Sequence, residues 1–561
     1  MTHIFKNIFK SLLLITTLHT AATAQNLIPN RWHIKYSDNP PSHDSVSFNL
    51  SWQSQGLCYV SGKTIFETEF NVAKKTLKVL TNRTLTLTAV MQCQTDSIFI
   101  NGHKVAENIP SSFVNKNAKS TFSIPSNILK AGNNTAEVYA QKFDRTGGVG
   151  NNILTLCADP SSAEIDIIIE AKDHLFEDTV PSFAIKYNSP AKQHLEILII
   201  NEFQERVYTH VQKLKKTGDG CINITLDHLN PGFYQCCAYL EGADNAESSQ
   251  WIAINPQKIQ CRNNRNEGYN EYWQHTIEQL DLVEPYYSMR KVDSLSRGAK
   301  DGFIVEFQSL DEVLIRAYLF LPRNRNENPV ILHLPDRGQD FGDVAKWSFR
   351  NPDIAEMALC VRGHGISRTH FDPESNGGPG IWGYEIFDPD KNSYRGIFAD
   401  CVRAIDFITQ DYHFDNKRIA VIGSRQGGSL ALATAALCKG RIAALAFFDP
   451  FLCDIEHYLK TKAVYTLEIN DILRYYNNSH TFNDVINVQK MIDVLDMARD
   501  VKCATFFASS LFDDDCPPHT GFAAYNLISA PKEFALHPSR NKLTQSFYDE
   551  MMKFIINKIK E

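Results

Sequence analysis

The sequence predicts a multi-domain chain in which two all-β sandwiches precede an α/β domain with helices on both faces of a mostly parallel sheet. The chain has 561 residues, enough for three or four domains at roughly 100 to 200 residues each. Up to about residue 258, short strands of alternating polarity are separated by Asn, Gly and Ser, and from residue 259 apolar strands alternate with helical patterns. We therefore predict domains at 25–160, 161–258 and 259–561.

Residues 1–24 have the pattern of a secretory signal peptide. Two lysines precede a short apolar run, and Ala22 and Ala24 supply the small residues of a cleavage site before Gln25. We expect an exported protein, periplasmic or extracellular, although a short amphipathic helix is an alternative interpretation. No later stretch has the roughly 18 apolar residues that a membrane span requires, so none is predicted.

Composition excludes one broad class of partner. The chain carries 57 Lys and Arg against 64 Asp and Glu, for a net charge of -7, and its densest basic cluster, Lys213, Lys215 and Lys216, is interpreted as a solvated face or turn. Without a basic surface, nucleic-acid binding is not expected. The 13 cysteines include no C-x-x-C pair, so neither a metal nor another cofactor is predicted and no disulfide is assigned.

The first β-rich region has strands joined by tight turns. The Asn-Gly pair at 101–102, between two strand patterns, is typical of a β-hairpin because both residues adopt positive φ there. The succession resembles the galactose-binding-like jelly-roll domains attached to many carbohydrate-active enzymes. The strands that carry the pattern include Thr84–Val90, Asp96–Ile100 and Thr135–Tyr139.

The second β-rich region suggests an immunoglobulin-like sandwich, although it lacks the Cys-Trp-Cys pattern of true immunoglobulin domains. We interpret it as a spacer or wall, with ligand binding as the alternative. Its predicted strands are Glu164–Glu170, Ser182–Tyr187, Leu195–Asn201, Cys221–Leu226 and Phe233–Leu240.

The α/β region starts with a helix that places Tyr272, Trp273, Ile277 and Leu280 on one face, and strands and helices alternate from Gly302 onward. An open sheet of this kind binds its ligand at the carboxyl ends of the strands. The predicted strands are Pro329–Leu334, Glu356–Val361, Arg418–Ile422, Ile442–Phe448 and Cys503–Ser509, and the helices are Ser393–Gln410, Gln426–Leu437, His519–Leu527 and one from Leu543.

Four motifs in this region, in the order in which they occur along the chain, indicate a protein family. They are Val361–Ser367, Arg418–Gly428, Asp449–Asp454 and Asp513–Asn526. Together they resemble the acetyl xylan esterase and cephalosporin C deacetylase family of α/β-hydrolases over about residues 265–561. The resemblance implies a serine esterase that removes acetyl groups from xylan and related small esters, commonly as a homo-oligomer and without a metal.

The motif that should hold the nucleophile departs from this family. A G-x-S-x-G turn lifts its central serine above the sheet, but between Gly423 and Gly427 the central residue is Arg425. A guanidinium group stays protonated and has no nucleophilic lone pair. Ser424 lies one place too early, so the turn should point it elsewhere.

The other catalytic positions are assigned from the resemblance. The acid falls on Asp513, and the histidine position falls on Lys542. His537 lies on the strand side of the loop, where packing or capping is the more ordinary role. The family's oxyanion tyrosine maps near Arg337, and Gln426 directly follows the central residue of the G-x-S-x-G turn, which is called the nucleophile elbow. These two residues are therefore the candidate binding residues of the oxyanion region.

These substitutions favour a protein with a degenerate Ser-His-Asp triad, because losing the serine or histidine of a triad costs about 10⁶ in rate. We expect a non-catalytic, carbohydrate-associated or scaffolding pseudo-esterase whose partner is an acetylated or other glycan. Arg425, Asp513 and Lys542 would form a salt-bridged core, or alternatively a cationic pocket for an anionic group. One alternative is an active carbohydrate acetyl esterase that uses Ser424, His537 and Asp513. A second is an oligomeric interaction protein.

Overall fold

The structure is a computed structural model of the chain. It describes residues 27–29, 31–37, 45–47, 61–80, 84–91, 94–109, 120–142, 153–157, 164–189, 194–240, 247–323, 326–341, 350–375, 380–461, 469–474, 479–513, 515–540 and 545–560. The predicted signal peptide and Lys542 lie outside the described residues.

The N-terminal region consists of two sheets, one six-stranded in the order β2-β1-β3-β8-β5-β6 and one three-stranded in the order β7-β4-β9. Its strands are β1 (Arg31–Ser37), β2 (Ser45–Ser47), β3 (Ser61–Val72), β4 (Thr84–Val90), β5 (Gln94–Ile100), β6 (His103–Ile109), β7 (Ser120–Pro125), β8 (Gly132–Lys142) and β9 (Ile153–Cys157), and its helix is α1 (Lys74–Leu80).

The two sheets enclose an apolar core that includes Trp32, Phe66 and Leu87. Between β5 and β6, Asn101 and Gly102 have φ values of 49° and 78°, the positive values that a tight Asn-Gly hairpin requires. The turn is therefore formed where the sequence places it.

The middle region also has two sheets, in the orders β10-β12-β15 and β11-β17-β16-β13-β14. The strands are β10 (Glu164–Ile168), β11 (Leu175–Phe176), β12 (Ser182–Ser189), β13 (His194–Asn201), β14 (Arg206–Lys213), β15 (Gly218–Thr225), β16 (Gly232–Leu240) and β17 (Glu247–Ile254). Sequence analysis identified neither β14 nor β17. β14 has no buried side chain, so it lacks the apolar face that marks a strand.

The C-terminal region is built on one nine-stranded sheet in the order β18-β19-β20-β22-β21-β23-β24-β25-β26. The strands are β18 (Ser288–Lys291), β19 (Lys300–Gln308), β20 (Leu314–Pro322), β21 (Asn328–Leu334), β22 (Ala355–Cys360), β23 (Phe414–Ser424), β24 (Ala444–Phe448), β25 (Ala504–Phe512) and β26 (Lys532–Arg540). The helices are α2 (Tyr269–Asp281), α3 (Gly380–Gly383), α4 (Ser393–Gln410), α5 (Gln426–Leu437), α6 (Ile455–Thr461), α7 (Phe482–Met491), α8 (Val494–Ala498), α9 (Pro518–Leu527) and α10 (Gln545–Lys560).

The sheet is mostly parallel and covered on both faces, as the α/β pattern predicts. Val330 and Leu332 pack into the large cluster that contains α4 and α5, whereas Ile331 between them packs into the cluster that contains α10. One expectation is corrected, because helices do not alternate with strands from Gly302. β18, β19, β20 and β22 pair antiparallel before the parallel part begins.

The middle region packs directly on the α/β region. Trp251 of β17 stacks on Phe512 at the end of β25 with ring centroids 4.4 Å apart, and Phe233 of β16 meets Phe522 of α9 at 5.7 Å. Phe233 accordingly belongs to the core cluster of the α/β domain. The two regions are therefore joined by largely buried aromatic contacts.

The segment that precedes α2 is also fixed to the α/β domain. Arg262 forms ion pairs of 3.3 and 2.8 Å with the buried carboxylates of Asp493 and Asp496, and Arg265 pairs with Asp500 at 2.7 Å. This segment is therefore held in place by ion pairs despite its polar sequence.

The cysteines of the described residues are free thiols, and most of them are buried, including Cys401, Cys438, Cys453 and Cys516. Burial raises the pKa of each of these four thiols. Within the described part of the chain, no helix is long and apolar enough to cross a membrane.

Candidate functional site

The turn between β23 and α5 holds the residue at which a hydrolase of this fold places its nucleophile. β23 ends at Ser424 and α5 begins at Gln426, so Arg425 alone forms the turn. Its backbone adopts φ 54° and ψ −112°, a strained conformation for a residue with a side chain. The strained elbow is therefore formed with an arginine at its apex, at the carboxyl ends of the parallel strands.

Glycines next to the apex let the turn pack tightly. A Cβ atom on Gly423 would lie 2.1 Å from the carbonyl oxygen of Gly427, and a Cβ on Gly427 would lie 2.4 Å from that of Leu334. Both obstacles are backbone atoms, which cannot move aside cheaply. These glycines are required by the geometry of the elbow, independently of any chemistry at its apex.

The guanidinium group of Arg425 is held by two carboxylates from the loop after β25. Nη1 lies 3.2 Å from Oδ2 of Asp513, which is buried, and Nη2 contacts the exposed carboxylate of Asp515. Burial opposes the charge on Arg425, but the acidic groups around it outweigh burial and raise its pKa above the ordinary value. The apex therefore carries a permanent positive charge that is already paired.

Asp513 is fixed by the backbone as well as by Arg425. Its Oδ1 accepts hydrogen bonds of 2.8 Å from the N–H groups of Asp515 and Cys516. Burial raises its pKa, and Arg425 opposes that rise. A second buried carboxylate, Asp449, is bonded by Ser509 and Ser510, and burial together with the charge of Asp513 raises its pKa.

The N–H group that follows the apex is occupied by a side chain of the protein itself. Asp336, in the loop after β21, accepts hydrogen bonds at Oδ1 from the N–H of Gln426 at 3.3 Å and from that of Arg337 at 2.7 Å. In an α/β-hydrolase, the N–H after the nucleophile forms part of the oxyanion hole. In this chain that donor faces a carboxylate.

The side chain of Gln426 belongs to a buried hydrogen-bond network. Its Oε1 accepts from the hydroxyl of Tyr394 at 2.9 Å, and its Nε2 lies 3.0 Å from Nε2 of His364. Nδ1 of His364 faces the carbonyl oxygen of Arg362 at 3.1 Å. Because a carbonyl only accepts, Nδ1 carries the proton and Nε2 accepts from Gln426. Burial lowers the pKa of His364, so the ring is neutral and structural.

The structure does not bring Ser424 and His537 together. They lie on β23 and β26, which are separated by β24 and β25, so their backbones are about 14 Å apart at about 4.8 Å per strand. His537 instead packs on Phe547 of α10, with ring centroids 3.9 Å apart, and its Nε2 lies 3.7 Å from Glu550. His537 therefore contacts α10 and not the elbow.

Of the two remaining candidate residues, Lys542 and Arg337, the structure describes only Arg337. Lys542, at the histidine position, lies outside the described residues. The side chain of Arg337 is exposed, and among the described residues no partner contacts its guanidinium group. It is therefore a cationic side chain at this edge of the sheet that is available to a ligand.

Two residues of the site, Asp336 and Asp515, were missed by sequence reasoning. Both contacts join segments about 90 positions apart in sequence, and no local pattern indicates such a pairing. A signal was present in the first case, because Asp336 lies beside Arg337 in the region assigned to the oxyanion tyrosine.

Comparison with known proteins connects this site to a family. The family model for acetyl xylan esterase matches residues 255–558, which is more than half of the chain. The acetyl esterase Axe7A of Xylanibacter ruminicola is 25% identical over 305 residues, which cover 53% of this chain and 67% of that protein.

Two solved structures are each similar to about half of the chain. The acetyl xylan esterase from Paenibacillus sp. R4 is 26% identical, with a TM-score of 0.48, over 54% of this chain and 98% of its own. Acetyl xylan esterase 1 from Thermoanaerobacterium sp. JW/SL YS485 is 24% identical, also with a TM-score of 0.48, over 54% of this chain and 97% of its own. With the family match over residues 255–558, the chain belongs to the acetyl xylan esterase family of α/β-hydrolases.

Proposed function

We propose that this chain is an exported, carbohydrate-associated member of its family that does not hydrolyse acetyl esters through a serine triad. The observation that carries the proposal is the ion-paired Arg425 at the apex of the elbow. An acyl-transfer enzyme needs a nucleophile beside a base, whereas the apex presents a cation that is neutralised by Asp513 and Asp515.

The surroundings of the apex support the same conclusion. The N–H of Gln426 would have to stabilise a developing oxyanion, but it faces the carboxylate of Asp336. A negative charge at that place repels an oxyanion. Removing one oxyanion donor costs about 10² to 10³ in rate, and this loss is separate from the loss of the serine.

A glycan is the ligand that this proposal favours. Acetyl xylan is the substrate named for the family, and a site that has lost its nucleophile can still bind what it no longer cleaves. Arg337 provides exposed hydrogen-bond donors for ester or hydroxyl oxygens next to the elbow. Binding without turnover is therefore the expected behaviour.

Acetate release and active-site labelling test the absence of catalysis. Wild-type protein and a Ser424→Ala variant are incubated with acetylated xylo-oligosaccharides and, separately, with a fluorophosphonate. We expect background acetate and no label for both proteins. Acetate release by the wild type that Ser424→Ala abolishes would overturn the proposal and favour an active esterase with a relocated nucleophile.

Titration calorimetry with the same acetylated oligosaccharides tests binding. We expect Arg337→Ala to weaken binding by about tenfold to a hundredfold, because a hydrogen bond to a charged group contributes about 1.5 to 3 kcal/mol. Arg290→Ala, which removes an exposed arginine of β18, is the matched control and should bind like the wild type. If the wild type binds no glycan, the carbohydrate part of the proposal fails, and light scattering would then test the oligomeric interaction protein.

A further inference from the structure

Three side chains with metal-binding groups converge where the middle sandwich meets the α/β domain. Glu202 follows β13, His457 lies on α6 and His519 lies on α9. Their ligand atoms all lie within 4.8 Å of one another. Because the three residues are far apart in sequence, only the packing of the two regions brings them together.

The carboxylate of Glu202 lies between the two imidazoles. Its Oε2 is 3.0 Å from Nε2 of His457, and its Oε1 is 2.7 Å from Nδ1 of His519. The side chains are 16%, 15% and 12% exposed, respectively. The cluster is thus largely sheltered from solvent, yet it lies close enough to the surface for an ion to enter.

The two imidazole rings have unequal hydrogen bonds. They stack with centroids 3.7 Å apart and an angle of 11° between their planes. Although Nδ1 of His519 approaches Glu202 closely, it is buried and makes no aligned hydrogen bond. An ion must lie in the plane of each ring that binds it, so one ring has to turn. His519 can turn about its broad χ2 torsion without losing an aligned hydrogen bond.

We propose that Glu202, His457 and His519 bind a divalent transition metal, with Zn²⁺ as the best fit, and that the ion ties the middle sandwich to the α/β domain. Two imidazoles and one carboxylate are a ligand set that zinc uses, at about 2.0 to 2.2 Å per bond. Tetrahedral geometry then separates the ligand atoms by about 3.3 Å, and the carboxylate oxygens of Glu202 already lie 3.0 and 2.7 Å from the two imidazole nitrogens. The proposal is independent of whether the elbow is catalytic.

Metal stoichiometry tests the site directly. Chelator-washed, tag-free protein is loaded with Zn²⁺, separated from free ion by gel filtration and analysed for bound metal. We expect about one Zn²⁺ per chain for the wild type and stoichiometric binding to be lost in Glu202→Gln, His457→Ala and His519→Ala. His275→Ala removes an exposed histidine of α2 and should bind like the wild type.

Thermal unfolding separates a lost site from a lost fold. Zn²⁺ should raise the Tm of the wild type and of His275→Ala, since a ligand that binds only the folded state stabilises it. It should leave the Tm of Glu202→Gln unchanged. That variant keeps the size of the side chain, so it should still unfold cooperatively without metal. The proposal is overturned if the wild type retains no Zn²⁺, or if the three variants retain as much as the wild type.

Discussion

Arg425 brings a permanent positive charge to a position at which an esterase needs a hydroxyl group. The substitution is accommodated because Asp513, the residue at the family's acid position, pairs with the guanidinium group. In a Ser-His-Asp triad, the aspartate orients the catalytic histidine. Among the described residues of this site, Asp513 has Arg425 as its charged partner instead.

The first prediction concerns rebuilding the triad. Arg425→Ser alone should restore little acetate release, because no base stands beside the new serine. Arg425→Ser with Lys542→His should restore more than the sum of the single changes, since triad members act as a unit. The measurement is the initial rate of hydrolysis of an activated acetyl ester by the wild type, the two single variants and the double variant.

Asp336 provides the control for that experiment. Adding Asp336→Ala to the double variant frees the N–H of Gln426, so we expect a further increase of about tenfold or more. The same change in the wild type should leave acetate release at background. An equal rate in the double and triple variants would count against the assignment of Asp336 as the group that occupies the oxyanion donor.

The second prediction concerns the stability of the buried pair. Arg425→Met leaves Asp513 buried without its cation, which should lower the free energy of unfolding by on the order of 2 to 4 kcal/mol near neutral pH. A buried carboxyl whose pKa is raised holds its proton better in the folded state than in the unfolded state, so the variant should lose stability as pH rises above about 4. The difference from the wild type should therefore be larger at pH 8 than at pH 5.

Urea unfolding of Arg425→Met and the wild type at these two pH values measures the effect. Arg290→Met, at an exposed arginine of β18, is the matched control and should differ little from the wild type at either pH. A deficit that is the same at pH 5 and pH 8 would show that Asp513 does not become the uncompensated group.

At the scale of elements, α4 and α5 begin and end where the sequence predicts, at Ser393–Gln410 and Gln426–Leu437. Their apolar residues are continuous enough to fix the helices locally. β14 was missed because its side chains alternate between exposed and half-buried. It is held by pairing with β13 along its length, and pairing with a distant strand is a tertiary property that local periodicity does not encode.

The candidate site likewise contains residues that the sequence makes predictable and residues that it does not. The position of Arg425 follows from the spacing of Gly423 and Gly427, since a tight strand-to-helix turn has one apex. The contact of Asp336 with the elbow depends on how the loop after β21 folds back, which the sequence does not specify. Residues fixed by a motif were therefore predictable, whereas residues brought in by a neighbouring loop were not.

The third prediction tests the elbow as a packed element. Gly427→Ala should lower the free energy of unfolding by about 2 to 4 kcal/mol, because its Cβ would meet the carbonyl oxygen of Leu334. Gly440→Ala is the control, since its Cβ would meet nothing within 4 Å and only its φ of 77° is unfavourable. It should lose about 1 to 2 kcal/mol. Equal shifts of the urea midpoint would contradict the steric account.

At the scale of the whole molecule, the segment that connects the middle region to the α/β region is fixed by ion pairs. Polar residues interrupt the strand pattern at 159–163 and 262–268, so the sequence predicts proteolytic cleavage near both segments. The first lies outside the described residues. In the second, Arg262 and Arg265 form ion pairs with Asp493, Asp496 and Asp500, so this segment is tied to the α/β region although Asn263, Asn264 and Glu267 are exposed.

The fourth prediction follows from the ion pairs that fix 262–268. Limited proteolysis should cut between β9 and β10 and leave 262–268 intact, giving a stable fragment that retains the middle region and the α/β region together. Mass spectrometry of the resistant fragment identifies its N-terminus. Trp251→Ala, which removes the stack on Phe512, should make cleavage near 262–268 faster. Early cleavage there in the wild type would contradict the fixed junction.

The free thiols of the described residues have a consequence for how long the protein survives. Burial keeps Cys401, Cys438, Cys453 and Cys516 protonated and out of reach. In an oxidising medium they are safe only while the chain stays folded, because an unfolded chain exposes several thiols that can pair wrongly. Unfolding in an oxidising medium is therefore irreversible. The working lifetime of the protein outside a reducing compartment is then set by its rate of unfolding, and not by the equilibrium between its folded and unfolded states.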